Sequence, residues 1–288
     1  MIPLRWRVVR ALGPILSRLS PFLQVRVYGR LSGDPFAAGV FHERVIRSIA
    51  PHGFQMELDL RDWMDRYAAI NGCYYEAEST ALLQRVLVPG ATFVDIGGNI
   101  GFLTLTAAGL VGPSGKVIYV EPNADLVARL RETLARNELE HVEVHSVALA
   151  EQAGEAALHM GSSHGVTQVV PGAGTIKRTG DELLEATLGS APALIKIDVE
   201  GYEERVLSGM ASTLARRDTA FYVEVTDAWL RQNGGSAAAL FDKMTVAGFD
   251  AWTCRQMRGG MRLEPLGGSV PLSQVNVLFA RPGSFGAP

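Results

Sequence analysis

The chain has 288 residues, 47% of them hydrophobic and 20% charged, with a formal net charge of −3 and a pI near 6.1. That is enough apolar chain to bury one large core, and it excludes the global basic field that gathers nucleic acid, so the expected partner is a small-molecule acceptor and no nucleic acid. Two cysteines, Cys73 and Cys254, are too few for a disulfide framework and lack zinc-type spacing, which points to a reducing, cytoplasmic setting and assigns no metal-ligand residues.

The charge is uneven. Residues 1–33 hold Arg5, Arg7, Arg10, Arg18, Arg26 and Arg30 and no acid, leaving 21 basic against 30 acidic residues in the rest. Val8, Val9, Leu12, Ile15, Leu16, Leu19, Phe22 and Leu23 recur there at roughly helical spacing, the pattern of a basic amphipathic helix. Arginines and Gly13-Pro14 interrupt the apolar run, so it reads as neither a membrane span nor a signal peptide. Residues 1–53 are therefore expected to form an N-terminal extension. Packing on the main domain, or on a second subunit in a homo-oligomer, is favoured over contact with a membrane surface.

Residues 54–288 are expected to form the main domain. Residues 54–60 alternate apolar and polar as a half-buried strand does, and 79–88 read as a helix with Ser79 as N-cap and Pro89-Gly90 as stop. Strands at 92–96, 116–121, 142–147, 193–198 and 219–225 then alternate with helices near 100–110 and 123–137, the second carrying Leu126, Leu130 and Leu134. This is the rhythm of a doubly wound, mostly parallel α/β sheet, Rossmann-like in class. Residues 150–192 break it with strand-like pieces at Glu155–Met160, Gly165–Val170 and Thr175–Thr179, predicting an insertion near the site. A helix at 236–247 and strands at Phe249–Cys254 and Gln274–Ala280 close the domain as an antiparallel edge hairpin.

The run Asp95-Ile96-Gly97-Gly98-Asn99-Ile100-Gly101 passes from strand through a glycine turn to a helix start, where doubly wound sheets bind nucleotides. Its spacing is not G-x-G-x-x-G, and a pyrophosphate would meet the carboxylate of Asp95 as a repelling charge, which disfavours a nucleotide-cofactor oxidoreductase. A cofactor bearing an ammonium and a sulfonium would be attracted. Glu121 ends the next strand, 20 residues past Gly101, where a carboxylate can accept hydrogen bonds from ribose hydroxyls. The bland alternative is a structural βα turn.

Together with Val111-Gly112-Pro113-Ser114-Gly115-Lys116-Val117, Val120-Glu121-Pro122-Asn123 and Ile195-Lys196-Ile197-Asp198-Val199-Glu200-Gly201-Tyr202-Glu203, this loop resembles the FkbM family of methyltransferases over roughly Phe54 to Ala280. The resemblance implies a class I methyltransferase fold, S-adenosylmethionine as donor, and O-methylation of a hydroxyl on a sugar or secondary metabolite. It implies cofactor contacts from Asp95, Gly97, Gly98, Asn99, Gly101, Glu121, Pro122, Asn123 and Asp198, and from Tyr75 and Glu76, because Tyr74-Tyr75-Glu76 resembles an entry segment that closes over the methionine end. In two places the chain departs from the family. Gly98 replaces a more usual alanine, which should be harmless in a turn, and Gly180 replaces a leucine, which should loosen the insertion.

A hydroxyl acceptor must lose a proton. Asp198 and Glu200 end one strand and Glu224 arrives at the same edge; such crowded acids raise a pKa or hold a metal, or else cap helices and pair with Lys196. His164, in the irregular insertion, is a further candidate base, against a solvated loop histidine, while His141 and His145 read as structural. Trp63, Trp229 and Trp252 line an acceptor pocket or belong to the core. N-methylation, in which a base matters less, is the nearest alternative reaction, and a non-catalytic binding module the alternative without one.

Overall fold

A computed structural model describes residues 44–161, 167–185, 187–257, 260–270 and 273–287. The basic segment 1–33 and His164 lie outside them. The chain forms two compact units, Met1–Glu76 and Ala77–Pro288.

In the first unit, β1 (Arg44–Ile49) pairs antiparallel with β2 (Phe54–Asp59) along their whole length, so a boundary at residue 53 would cut this hairpin. The expected alternation of β2 buries Met56 and Leu58. Helix α1 (Trp63–Asn71), which the sequence reading lacks, starts at Asp62, whose side chain accepts from the Met64 amide, and stops at Gly72 in the left-handed conformation. Two of its charged side chains are buried and bind backbone: Asp65 accepts from the Asp59 amide at 2.6 Å, and Arg66 donates to the carbonyls of Leu60 and Arg61 at 2.8 and 2.9 Å. Trp63, Tyr67 and Tyr74 surround Tyr75, with ring centroids 5.0, 6.4 and 4.6 Å away.

The second unit opens with α2 (Ala77–Val86), then alternates β3 (Thr92–Ile96), α3 (Phe102–Val111), β4 (Lys116–Val120), α4 (Ala124–Arg136) and β5 (Val142–His145). Ser79 is not an N-cap: it lies inside α2, buried, and shares a 3.0 Å hydrogen bond with the Tyr222 hydroxyl. The short β6 (Ala148–Leu149), β7 (Gly154–Met160) and β8 (Thr167–Arg178) form a separate three-stranded sheet in the order β6-β8-β7. The second and third pieces expected in the insertion belong to one strand, β8, which bulges at 171–174: Ala156 pairs with Thr175 but Ala157 with Val170. After α5 (Gly180–Leu184) come β9 (Ala193–Ile197), α6 (Glu203–Ser208), α7 (Ala211–Ala215), β10 (Thr219–Val225), α8 (Asp227–Gln232), α9 (Ala237–Val246), β11 (Asp250–Met257), β12 (Gly260–Pro265) and β13 (Val275–Ala280).

Eight strands make the main sheet in the order β12-β11-β13-β10-β9-β3-β4-β5. The five from β10 to β5 are parallel, and the order reverses between β3 and β9, the switch point where ligands bind in such sheets. The expected edge hairpin is instead three antiparallel strands, with β13 between β10 and β11 and the unforeseen β12 outermost. Gly180 does not loosen α5: a Cβ there would lie 2.3 Å from Met210, so the glycine permits close packing.

The two faces of the sheet differ. Val94, Ile96, Ile195, Ile197, Phe221 and Val223 point into an apolar core with Leu183, Val206, Met210, Leu240 and Phe241. The opposite face carries a row of neighbours at one level, Tyr119, Asp95, Lys196 and Tyr222, all buried. A buried polar row must be satisfied, and helices do part of this: Thr104 of α3 donates to Asp95 at 2.6 Å, and Ser79 of α2 meets Tyr222. Among the described residues, no helix is long and apolar enough to cross a membrane.

Arg281, just past β13, donates to the carbonyls of Leu214, Arg216 and Ala247 and lies 4.0 Å over the Phe249 ring. Arg281→Met keeps the aliphatic bulk and removes the donors, so it should cost about 1.5–3 kcal/mol. A urea midpoint equal to that of the unmodified protein would show that water replaces those bonds without loss.

Candidate active site

The ends of four parallel strands bring the site residues to one level. Ile96 pairs with Val120 and with Ile197, and Ile197 pairs with Val223; one residue further on stand Glu121, Gly97, Asp198 and Glu224. Asp95 lies one turn of the pleat below, on the polar face.

Gly97, at φ 78°, crosses so close to the next strand that a Cβ would stand 1.9 Å from the Asp198 carbonyl oxygen. Here glycine is required by approach as well as by conformation. Gly98 is confined differently: a Cβ would meet the Tyr119 ring at 2.4 Å. Glycine at 98 is therefore accommodated, as expected, whereas an alanine there would press on the buried Tyr119 ring. Gly101 passes over Leu130 of α4, and Asn99 adopts φ 51° without being glycine.

The Asn99 amide donates to Glu121 Oε2 at 3.2 Å and the Asn123 amide to Glu121 Oε1 at 2.9 Å, so both carboxylate oxygens are oriented by backbone. Asn123 itself caps α4 through the Asp125 amide, and its side-chain nitrogen approaches the Met160 sulfur at 3.7 Å. That contact sets the end of β7 beside the ribose candidate Glu121. Pro122 is half-buried between them. Tyr75 and Glu76 belong to the first unit.

Asp95 is 1% exposed. Its Oδ2 accepts from Thr104, while Oδ1 has no hydrogen-bond partner among the described residues. Burial raises its pKa, opposed first by the Lys196 ammonium. Asn99 Oδ1 is likewise buried without a partner. Lys196, itself buried, donates to Asp198 Oδ2 at 2.8 Å.

Beyond Asp198 the chain turns tightly, with Glu200 at φ 55°, a conformation that costs a non-glycine residue about 1 kcal/mol or more. Glu203, almost fully buried, holds this turn by accepting from the amides of Val199 and Gly201 at 3.1 Å each. Glu200 Oε2 is buried with no partner among the described residues. Burial, then the nearby charges of Asp198 and Glu203, pushes Glu200 up to about 8, and burial pushes Glu203 to about 7. Glu224 stands on a different footing, since its Oε1 accepts from Gln274 at 2.5 Å.

The sequence reading thus brought together Asp95, the glycine turn, Glu121, Asp198, Glu200 and Glu224. Thr104, Tyr119 and Glu203, which bind Asp95, the Asn99 carbonyl and the amides of the Glu200 turn, were not among its candidates, although Glu203 stood in the motif that carries the resemblance. No three His, Cys, Asp or Glu side chains gather to hold a metal among the described residues.

A family model for the methyltransferase FkbM domain matches residues 95–251, more than half of the chain. The chain belongs to the FkbM methyltransferase family. The FkbM domain begins at Asp95 and so takes in the glycine turn, Glu121 and the Asp198–Glu203 turn. Its cofactor is S-adenosylmethionine, and the residues fit it: unpartnered carboxylate and amide oxygens suit a cationic donor and its hydroxyls, and the turn lacks the donor-rich G-x-G-x-x-G form of a pyrophosphate site. Hexuronic acid methyltransferase AglP of Haloferax volcanii is 33% identical over 124 residues, 42% of this chain and 50% of that protein. Arsenite methyltransferase of Halobacterium salinarum is 40% identical over 57 residues, 20% of this chain and 15% of that one. The chain spans about half or less of the curated relatives it matches. An S-adenosylmethionine-dependent O-methyltransferase structure from Thermotoga maritima aligns over 90% of this chain and 81% of its own at 13% identity, with a TM-score of 0.41.

Proposed function

We propose that the protein methylates a hydroxyl oxygen of a small molecule, a sugar or a secondary metabolite. The observation that carries this reading is Glu200 at the strand ends, a half-buried carboxylate whose Oε2 is buried with no partner among the described residues and whose pKa of about 8 suits it to take a proton near neutral pH. A hydroxyl nucleophile needs such a base and an amine needs it less, which favours oxygen over nitrogen. Likeness to AglP, a hexuronic acid methyltransferase, supports a sugar acceptor, and the chain's net charge of −3 supports a small molecule over nucleic acid.

Bound S-adenosylmethionine supplies a methyl group activated by a sulfonium. In this reading Glu121 holds the ribose hydroxyls, and Asp95 and Asn99 turn their unpartnered oxygens toward the donor. Asp198, fixed by Lys196, orients the acceptor, and Glu200 receives its proton. Alignment of nucleophile and methyl, with water excluded, provides most of the rate. Incubation with methyl-labelled S-adenosylmethionine and a panel of hexuronates, neutral sugars, phenols and amines tests it, with label expected on a hydroxyl oxygen. Label found on amines alone would replace the reading with N-methylation, and tighter binding of a nicotinamide cofactor than of S-adenosylmethionine would end it.

A further inference from the structure

The cofactor turn is held from one side by a single strand. Tyr119 and Glu121 are two residues apart along β4 and its extension, so they project to the same side. Between them they grip one residue of the turn at both ends: the Asn99 amide donates to Glu121 Oε2 at 3.2 Å, and the Asn99 carbonyl accepts from the Tyr119 hydroxyl. Asn99 is the residue of the turn that adopts a left-handed backbone without being glycine, at φ 51°, a conformation that asparagine takes more readily than other side chains and that the two hydrogen bonds hold in place. The Tyr119 ring is fully buried and fills the space in which a side chain at 98 would stand, 2.4 Å from a Cβ there, while the next neighbour of that Cβ, the Asp95 carboxyl carbon, is 3.2 Å away, tight but tolerable.

We propose that Tyr119 is a positioning residue for S-adenosylmethionine, holding Asn99 and through it Glu121 in the binding arrangement, and that its ring is what keeps position 98 a glycine. The hydroxyl remains a donor throughout the working pH range, because burial first, and then the charges of Glu121 and Asp95, raise its pKa above the ordinary value of 10. The ring and the glycine act as a pair. A larger residue at 98 forces the ring aside, which removes the hydroxyl from the Asn99 carbonyl and releases the turn. This inference rests on the turn being the cofactor site.

The experiment is calorimetric titration of S-adenosylhomocysteine into the full chain and into Tyr119→Phe, Gly98→Ala, Tyr119→Val and the Gly98→Ala/Tyr119→Val pair, with thermal midpoints alongside. Tyr119→Phe keeps the ring and removes one hydrogen bond, so the dissociation constant should rise roughly two- to tenfold. Gly98→Ala in the presence of the tyrosine should weaken binding more than this. Adding Tyr119→Val to Gly98→Ala should return affinity to that of Tyr119→Val alone, a coupling that a double-mutant cycle isolates. A structural role alone would lower the midpoint of Tyr119→Phe and leave its affinity unchanged, and that result overturns the proposal. So does a Gly98→Ala penalty of equal size with and without the tyrosine. If Gly98→Ala fails to fold, Tyr119→Phe still decides the matter. Failure of the unmodified chain to bind S-adenosylhomocysteine would remove the cofactor reading itself, whereas normal binding there with unchanged affinity in Tyr119→Phe removes this inference alone.

Discussion

Replacing Glu121 with alanine is expected to raise the dissociation constant for S-adenosylmethionine about 10- to 150-fold, the loss of charge-assisted hydrogen bonds of roughly 1.5–3 kcal/mol. The side chain is 5% exposed, and each of its oxygens is fixed by a backbone amide, from Asn99 and Asn123. A carboxylate has about four acceptor positions, so bonds that orient Glu121 are compatible with bonds to ribose. Glu121→Gln separates the two roles: it retains one acceptor oxygen and loses the charge, so it should fall between alanine and the unmodified residue. Unchanged affinity in a folded Glu121→Ala protein, read by calorimetry, would take Glu121 out of the site.

Glu200→Gln is expected to lower turnover by about 10²- to 10⁴-fold while leaving cofactor affinity nearly unchanged. The same substitution should act on stability in the opposite direction. Glu200 and Glu203 stand at about 8 and 7 against an ordinary 4.5. Between those values the folded chain keeps protons that an unfolded chain has released, so stability declines as pH rises from about 4.5 through 8. Glutamine cannot acquire the charge, so Glu200→Gln should exceed the unmodified protein in stability at about pH 9 and match it near pH 4.5, below the folded value. A base must also be deprotonated, so turnover of the unmodified protein should climb with pH and level off above about 8. Normal turnover in Glu200→Gln, or a rate that does not rise toward pH 8, would send the search for the base to Glu224 or His164. Asp198→Asn is the less clean variant, since it withdraws a carboxylate from the buried Lys196.

The parallel strands were legible because each is a short apolar run with a turn or acid at its end, as in Thr92–Ile96 followed by Gly97. Helix α1 was not, because Asp65 and Arg66 are buried charged residues that bind backbone and break the apolar period a helix normally writes into its sequence. Strand β12, with Arg262 and Glu264 in a glycine-rich stretch, carries the composition of a turn and owes its state to pairing with β11. Ser79 has the composition of a cap and the position of a core residue, a distinction made by Tyr222, 143 residues away. In the site, acids at strand ends could be found from spacing alone. Lys196 could be named as a partner for those acids, and it pairs with Asp198, but Tyr119 could not be found, since within an apolar strand it does not announce that register will set it beside Asp95.

The insertion of β13 between β10 and β11 bears on how the molecule is made. Every other strand of the sheet precedes it in the chain, and its partners Phe221–Val225 and Asp250–Thr253 are both ready before it. Until residues 275–280 are in place, β10, which carries Glu224, lacks its neighbour on that side, and β11 has no pairing to the rest of the sheet, since β13 is the strand that joins them. Open edges of this kind invite pairing with other chains, and long-range pairing is slow to form. The parallel half of the sheet can therefore have all its strands while the antiparallel edge still waits for its last one.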